Sequence, residues 1–252
     1  MVSTWLWIGS AGMASGLVLI LILGRTVATE QKHHVVVSSL VLSIASLAYF
    51  AMANGQGSVI VDGRVVYYAR YIDWVFTTPL LLIGLMTVAL PRLHGPEQAR
   101  DRNALLGTVI GADVLMIVTG AVGAITIDTT VKYLWYAFGC IAFLVVLYQI
   151  LIPIRAAARG RSTEHARLYD RLLGALIILW FVYPVVWVLG TEGSQVIGLS
   201  AEVGIFAIVD ILAKVGFGLL LVGGVAQLAG TMPSARTTSR ARGALDVQHR
   251  PS

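Results

Sequence analysis

Two ionisable residues interrupt the last apolar segment of this 252-residue sequence. Asp210 and Lys214 are four residues apart, so on a helix they lie on the same face. In apolar surroundings a lysine amine is suited to condense with an aldehyde, and the resulting iminium needs a buried carboxylate as its counter-ion. The structural alternative is an ion pair that only holds two helices together.

A second carboxylate and a group of large rings support the chemical interpretation. Within an earlier apolar segment, Asp73 follows Arg70 by about one helical turn and precedes Thr77 by another. Large rings usually form a protein core, but beside a buried lysine they also predict the walls of a pocket for a long apolar polyene. The rings in question are Trp74, Trp180, Tyr183 and Trp187.

The elements that carry these residues are predicted to be membrane-spanning helices. The sequence is 57% hydrophobic and 12% charged, with a mean hydropathy of +0.82. This composition excludes a disordered chain, a nucleic-acid module and most soluble enzymes. Seven apolar segments are each long enough to cross about 30 Å of hydrocarbon as a helix. They comprise residues 5–23, 35–52, 72–90, 105–127, 133–152, 172–189 and 201–228.

The predicted fold class is an all-α membrane protein: a seven-transmembrane-helix bundle with a short extracellular β-hairpin between the second and third helices. Apolar β-branched runs flank Asp62 and Gly63, a pair typical of two-residue hairpin turns. Residues 1–231 are expected to form one membrane domain, and residues 232–252 a disordered cytoplasmic tail.

Basic residues predict the orientation of the bundle. Of the 18 Lys and Arg residues, fourteen fall in the first, third and fifth connections and the tail, whereas the loops of the other side hold only Arg64 and Lys132. Basic residues accumulate in cytoplasmic loops. We therefore expect a multi-pass protein of the cell (inner) membrane, with its amino terminus outside and its carboxyl terminus in the cytoplasm.

Four strings occur in order on separate spans, and the sequence that contains them resembles the microbial (type I) rhodopsins, in particular the bacteriorhodopsin-like members. The strings are ARYIDWVFTTPL (69–80), GAD (111–113), WFVYPVVW (180–187) and DILAKVGFG (210–218). The resemblance implies that Lys214 binds all-trans retinal covalently as a Schiff base. It also implies that the protein is a light-driven ion transporter rather than an enzyme.

The resemblance also implies roles for individual residues. Asp73 would be the counter-ion and primary proton acceptor, and Asp210 the second carboxylate of the counter-ion. Arg70 would lie just outside them, and Thr77 would hydrogen-bond Asp73. The implied retinal contacts are Trp74, Thr78, Met116, Gly120, Tyr136, Trp180, Tyr183 and Trp187. Further implied neighbours are Tyr49 near the counter-ion, Tyr71 beside the site, and Asp113 as the hydrogen-bond partner of Thr78.

The two sides of this centre predict the direction of proton movement. Glu192 and Glu202 match the pair that releases a proton to the outside in bacteriorhodopsin-like pumps; for Glu192 the alternative is a solvated loop residue. On the cytoplasmic side, familiar pumps have a carboxylate eleven residues after the position of Asp73, whereas this chain has Gly84. Gly84 is interpreted as space for a water chain, as close helix packing, or as both.

The nearby histidines, His33, His34 and His94, are expected in loops. The combination of Asp73, Thr77 and Gly84 resembles the bacterial Asp-Thr-Gly motif group, which implies a light-driven outward proton pump.

Other functions stay open at this stage. A sensory photoreceptor that signals through a membrane transducer is the main alternative, although Ala213 stands where well-known sensors have threonine. A seven-helix protein without retinal and a channel are further alternatives, and chloride or sodium pumping is disfavoured. The expected partners are the lipid bilayer, protons and further copies of the chain in a trimer or pentamer. Nucleic acid is not expected.

Overall fold

The computed structural model describes residues 1–90 and 96–231. Within these ranges the helices are α1 (Val2–Leu23), α2 (Lys32–Ala53), α3 (Tyr68–Ala89), α4 (Pro96–Ile125), α5 (Thr129–Leu151), α6 (Pro153–Arg159), α7 (Thr163–Trp180), α8 (Val182–Leu189), α9 (Leu199–Ile211) and α10 (Phe217–Thr231). Two strands, β1 (Val59–Val61) and β2 (Arg64–Val66), lie between α2 and α3.

The helices form seven membrane spans over the described residues. Helices α1 to α4 are the first four spans. The fifth span is α5 with α6, the sixth is α7 with α8, and the seventh is α9 with α10. A helix of 22 residues, such as α3, is about 33 Å long and satisfies its own backbone hydrogen bonds, which hydrocarbon requires. The predicted seven-helix bundle is therefore confirmed.

Local sequence explains where two of the spans are interrupted. Pro153 begins α6, where its missing N–H has no helical partner to lose. Pro184 lies in α8 and cannot donate to the carbonyl of Trp180, which its ring also crowds, so the sixth span breaks at Phe181. In the seventh span, Leu212–Gly216 forms a π-helical turn that contains Lys214. Such turns recur at functional sites.

The predicted hairpin is also confirmed. Strands β1 and β2 pair antiparallel, and Val61 pairs with Arg64 across the turn. The two turn residues, Asp62 and Gly63, have φ angles of 50° and 72°. Positive φ at both central residues is the requirement of a type I′ turn, which explains the Asp-Gly pair. We call the end of the bundle with this hairpin the hairpin end, and the other the opposite end.

The third and seventh spans are the most enclosed. Of their most apolar 18-residue windows, 61% and 56% are buried, against 22% in the fourth span. Ionisable side chains on the third and seventh spans therefore have little access to lipid or water. The sequence placed Asp73, Asp210 and Lys214 on these two spans.

Some expectations change at the ends of the helices. The expectation that His33 and His34 lie in a loop is wrong, because α2 begins at Lys32, before its apolar run. Lys132 lies in the first turn of α5 rather than in a loop, and both it and Arg64 are buried. His94 and the predicted tail, residues 232–252, lie outside the described residues.

Candidate functional site

The centre of the bundle holds a lysine between two carboxylates. The ammonium group of Lys214 contacts Asp73 Oδ2 and lies 3.4 Å from Asp210 Oδ1. All three side chains are buried. An isolated charge at this depth is costly, and two carboxylates with one ammonium group reduce that cost by mutual attraction. The structure thus brings together the three charged residues that the sequence singled out on two different spans.

The two carboxylates differ in their hydrogen bonds. Asp210 accepts bonds from the Tyr49 hydroxyl (2.7 Å), the Tyr183 hydroxyl (2.6 Å) and the Trp74 indole N–H (3.3 Å). Asp73 Oδ1 has no hydrogen-bond partner, although it is buried. Three donors stabilise the ionised form of Asp210. Asp73 is therefore the carboxylate with an oxygen available to a proton.

Thr77 contacts Asp73 through the main chain. Its hydroxyl donates to the Asp73 carbonyl oxygen, four residues before, at 2.9 Å. The hydrogen bond between the two residues that the resemblance implied is therefore present.

An apolar cavity adjoins Lys214, and its empty space, including the part that is open to the surroundings, is about 810 Å³. All nine residues that the sequence predicted as cofactor contacts line it: Trp74, Thr78, Met116, Gly120, Tyr136, Trp180, Tyr183, Trp187 and Lys214. Its walls also include seven residues that the sequence interpretation did not single out as contacts: Leu81, Ile117, Gly139, Cys140, Phe143, Pro184 and Ala213. The size and aromatic lining suit a long apolar ligand, and the lysine supplies one polar attachment point.

Aromatic contacts fix the walls of this cavity. Tyr136 stacks on Trp187, with ring centroids 4.9 Å apart, and its hydroxyl donates to the Pro184 carbonyl at 3.2 Å. Trp74 meets Tyr183 edge to face at 5.1 Å. These pairs link the fifth, sixth and third spans and limit the rotamers available to each ring.

Thr78 and Asp113 form a polar contact between the third and fourth spans. The Thr78 hydroxyl lies 2.7 Å from Asp113 Oδ2 and 2.8 Å from the Trp74 carbonyl oxygen. Asp113 is fully buried, and its Oδ1 has no hydrogen-bond partner. The pair that the resemblance implied is thus in contact, directly beside the cavity.

Toward the hairpin end, Arg70 separates the central carboxylates from a second acidic group. Its Nη1 donates to Glu202 Oε1 at 3.1 Å, and its guanidinium lies 4.3 Å from the centroid of the Phe206 ring. The other oxygen of Glu202 accepts bonds from the Thr191 N–H and hydroxyl, at 2.6 and 2.7 Å. Glu202 is buried and fully bonded at both oxygens.

Glu192 is buried rather than solvated. It lies in the loop between α8 and α9 and accepts a 2.6 Å bond from the Tyr71 hydroxyl, which in turn accepts a bond from the Trp187 indole. Burial raises the pKa of Glu192 to about 7, and the Glu202 charge adds to the rise, whereas the Arg70 charge opposes it. The solvated-loop alternative is therefore wrong, and Glu192 is poised to exchange a proton near neutral pH.

At the opposite end, Gly84 is a packing position. A Cβ there would lie 2.9 Å from Leu221 Cδ2 and 3.6 Å from Phe217 Cε1. The close-packing interpretation is confirmed, because seventh-span side chains occupy the space beside the glycine. One turn further on, Thr87 Oγ1 donates to carbonyls of the third span, including that of Gly84 at 2.8 Å.

His34 approaches this part of the third span. Its side chain is 2% exposed, and its Nδ1 lies 3.5 Å from Thr87 Oγ1. The ring of its neighbour His33 lies 4.0 Å away between centroids, at an interplanar angle of 37°, but His33 is exposed. The sequence interpretation missed His34 because it placed the residue in a loop. The available signal was that His34 lies within one turn of an apolar helical run.

The fold and the site define a seven-helix membrane protein in which a buried lysine lies between two carboxylates and lines an aromatic cavity. The family model described as "Bacteriorhodopsin-like protein" matches residues 1–228. The chain therefore belongs to the bacteriorhodopsin-like family of microbial type I rhodopsins, whose members bind retinal through a Schiff base on a lysine.

Similar proteins support this assignment over most of the chain. Archaerhodopsin-3 of Halorubrum sodomense is 39% identical over 232 residues, which are 90% of this chain and 86% of the relative. The crystal structure of thermophilic rhodopsin from Rubrobacter xylanophilus is similar with a TM-score of 0.85 and 37% identity, covering 90% of this chain and 100% of that one. The light-driven proton pump Coccomyxa subellipsoidea rhodopsin CsR gives a TM-score of 0.79 and 34% identity, covering 88% and 95%.

Proposed function

We propose that this protein is a light-driven outward proton pump with all-trans retinal bound to Lys214. The observation that carries the proposal is the unequal bonding of the two carboxylates beside the lysine. Asp210 is saturated by three donors, whereas Asp73 contacts the lysine and keeps one oxygen free. This asymmetry gives a proton on the lysine nitrogen one preferred destination.

The cavity fits the cofactor of the family. Its aromatic walls suit a polyene, and the attachment lysine is part of the lining. Trp74, Trp180, Tyr183 and Trp187 would hold the polyene, while Met116, Gly120 and Tyr136 would shape the cavity further along. When bound, retinal supplies absorption of visible light and a light-triggered change of shape at the nitrogen of Lys214.

The first proton transfer is from the nitrogen of Lys214 to Asp73. Moving this proton neutralises both groups of the ion pair, and Asp210 keeps the hydrogen bonds donated by Tyr49 and Tyr183. Each tenfold change in the proton equilibrium corresponds to about 1.4 kcal/mol, which is far below the energy of a visible photon. The light energy therefore exceeds what the transfer requires.

Release follows on the hairpin end. Arg70 lies one helical turn from Asp73 and pairs with Glu202, so it responds to the loss of negative charge at Asp73. Glu192 faces the same group of charges and has a pKa of about 7, which allows it to give a proton to the medium near neutral pH. The proposed release path thus leads from the lysine toward the hairpin end through Asp73, Arg70, Glu202 and Glu192.

The nitrogen of Lys214 must regain a proton from the opposite end, where Gly84 replaces the familiar carboxylate. His34 is a buried ionisable side chain beside that part of the third span, and it lies next to Thr87. We assign His34 as an internal proton relay. A buried neutral imidazole accepts a proton at one ring nitrogen while it gives up the proton on the other, so it passes a proton inward without storing a charge.

The proposed direction is from the His34 end to the hairpin end. The excess of Lys and Arg in the connections at the His34 end supports a cytoplasmic location for that end and an external location for the hairpin. With this orientation, outward transport in the cell membrane acidifies the medium.

Illumination of cells that contain the protein and retinal tests the proposal. The external pH should fall in the light, and a protonophore should abolish the change. Asp73→Asn should keep visible absorption but lose acidification, because the acceptor oxygen is gone. Light-induced alkalinisation would contradict the proposal. A coloured, photocycling protein without any pH change would contradict it as well, and would favour the sensory alternative.

A further inference from the structure

Arg64 is a buried cation that the proton path described above does not use. In β2 the side chains of Arg64 and Val66 are buried and Val65 between them is partly exposed, so the arginine points inward from the hairpin. Its Nη1 donates to the main-chain carbonyl of Glu192 at 3.1 Å, and its Nη2 donates to the carbonyl of Thr126 at 3.2 Å.

This single guanidinium therefore joins three separate segments. Thr126 follows the end of α4, Glu192 lies in the loop between α8 and α9, and Arg64 belongs to the hairpin. A guanidinium is planar and always charged, so its two donors keep a fixed angle at every working pH. The carbonyl of Glu192 is held in place, and its side chain stays within reach of the Tyr71 hydroxyl.

We propose that Arg64 is a positioning residue for proton release: it fixes the loop that carries Glu192, and its charge helps to set the pH at which that carboxyl gives up its proton. The inference rests on the proposed pump function, which it deepens at the release step. The hairpin is then part of the release machinery rather than a simple connection.

The charges around Glu192 give the direction of the effect. Arg70 and Tyr71 face it from α3, Glu202 from α9, Arg64 from β2, and Lys132 from the first turn of α5. Burial and the Glu202 charge raise the pKa of Glu192, whereas the charges of Arg70 and Arg64 and the Tyr71 bond lower it. Loss of Arg64 removes one positive charge that stabilises the carboxylate, so it favours the protonated carboxyl.

A dark titration of Glu192 tests the inference. Infrared spectra of the full chain with retinal, recorded against Glu192→Gln, report the fraction of protonated Glu192 from pH 5 to 10. Arg64→Gln should raise the midpoint by about one pH unit, a tenfold change in the proton equilibrium. The midpoint of Arg64→Lys should lie between those of wild type and Arg64→Gln, because lysine keeps the charge but loses the pair of hydrogen bonds to the two carbonyls.

Ile60→Gln on β1 is the matched control, since Ile60 is 73% exposed on the same hairpin. Its midpoint should equal that of wild type. An unchanged midpoint in Arg64→Gln would overturn the inference, and so would an equal shift in Ile60→Gln. If Arg64→Gln does not fold, Arg64→Met, which keeps the aliphatic stem, gives the same comparison. The dark titration does not depend on transport. If wild type produces no light-driven pH change, the pump proposal is refuted, and the role of Arg64 is still decided by the titration.

Discussion

Replacement of His34 tests the proposed proton supply. In the proposed path a proton must reach Lys214 from the level of Thr87, which is fourteen residues beyond Asp73 and about 21 Å further along the helix. A positioned acid or base typically accelerates a proton transfer by about 10²–10⁴-fold. His34→Asn should therefore slow recovery of the Lys214 nitrogen by about 100-fold at neutral pH.

The pH dependence should change with the rate. Without the His34 relay a proton must reach the Lys214 nitrogen directly from the medium, so the recovery rate should fall about tenfold for each unit by which the pH rises. Flash photolysis with absorbance detection from pH 5 to 9 measures both quantities. His33→Asn is the matched control. The His33 ring contacts that of His34, with centroids 4.0 Å apart, but His33 is exposed, so its loss should leave recovery within about twofold of wild type.

A second substitution separates proton supply from structural damage. Gly84→Asp places a carboxyl where familiar pumps have one. Its Cβ would lie closer than 3.0 Å to only one side-chain atom, the terminal Cδ2 of Leu221, which is at the flexible end of that side chain. In the His34→Asn background it should restore fast recovery and remove most of the pH dependence. Equal recovery rates in His34→Asn and wild type across the pH range would refute the assignment of His34.

Three further predictions concern attachment, release and packing. Lys214→Ala should give no visible absorption band after addition of all-trans retinal, and retained colour would contradict Lys214 as the attachment site. Because burial raises the pKa of Glu192 to about 7, the folded protein keeps this proton below pH 7 and loses it above pH 7. The time at which a membrane-impermeant pH dye detects proton release should therefore change near pH 7. Glu192→Gln should abolish that change. Gly190→Ala would place a Cβ 2.6 Å from Glu202 Oε2. This should lower stability by about 1–3 kcal/mol, whereas Gly107→Ala, which has open space, should change it by less than about 1 kcal/mol; thermal bleaching measures both.

Strong local patterns allowed much of the fold to be predicted. Apolar length predicts membrane helices because hydrocarbon permits no unsatisfied backbone, and Asp62-Gly63 predicts a hairpin because both residues tolerate positive φ. The cluster of Asp73, Asp210 and Lys214 was predictable because a buried charge needs a partner. In each case a single physical requirement limits the choice of structure.

The remaining features depend on contacts between distant segments. The burial of His34 follows from packing of α2 against α3, and the start of α2 before its apolar run concealed it. The sequence analysis counted Arg64 only as a loop residue, although its guanidinium donates to two main-chain carbonyls more than 60 residues away. For Gly84 the sequence left open a water chain, close helix packing or both, and Leu221 of the seventh span packs beside it. Sequence alone carries no information on which side chain of another span occupies a given position.

The fate of the Lys214 proton tests the central claim most directly. Time-resolved infrared spectroscopy after a flash detects the carbonyl stretch of a newly protonated carboxylic acid. This band should rise as the Lys214 nitrogen loses its proton, persist in Asp113→Asn and vanish in Asp73→Asn. A band that is unchanged in Asp73→Asn would show that another group accepts the proton and would contradict the account.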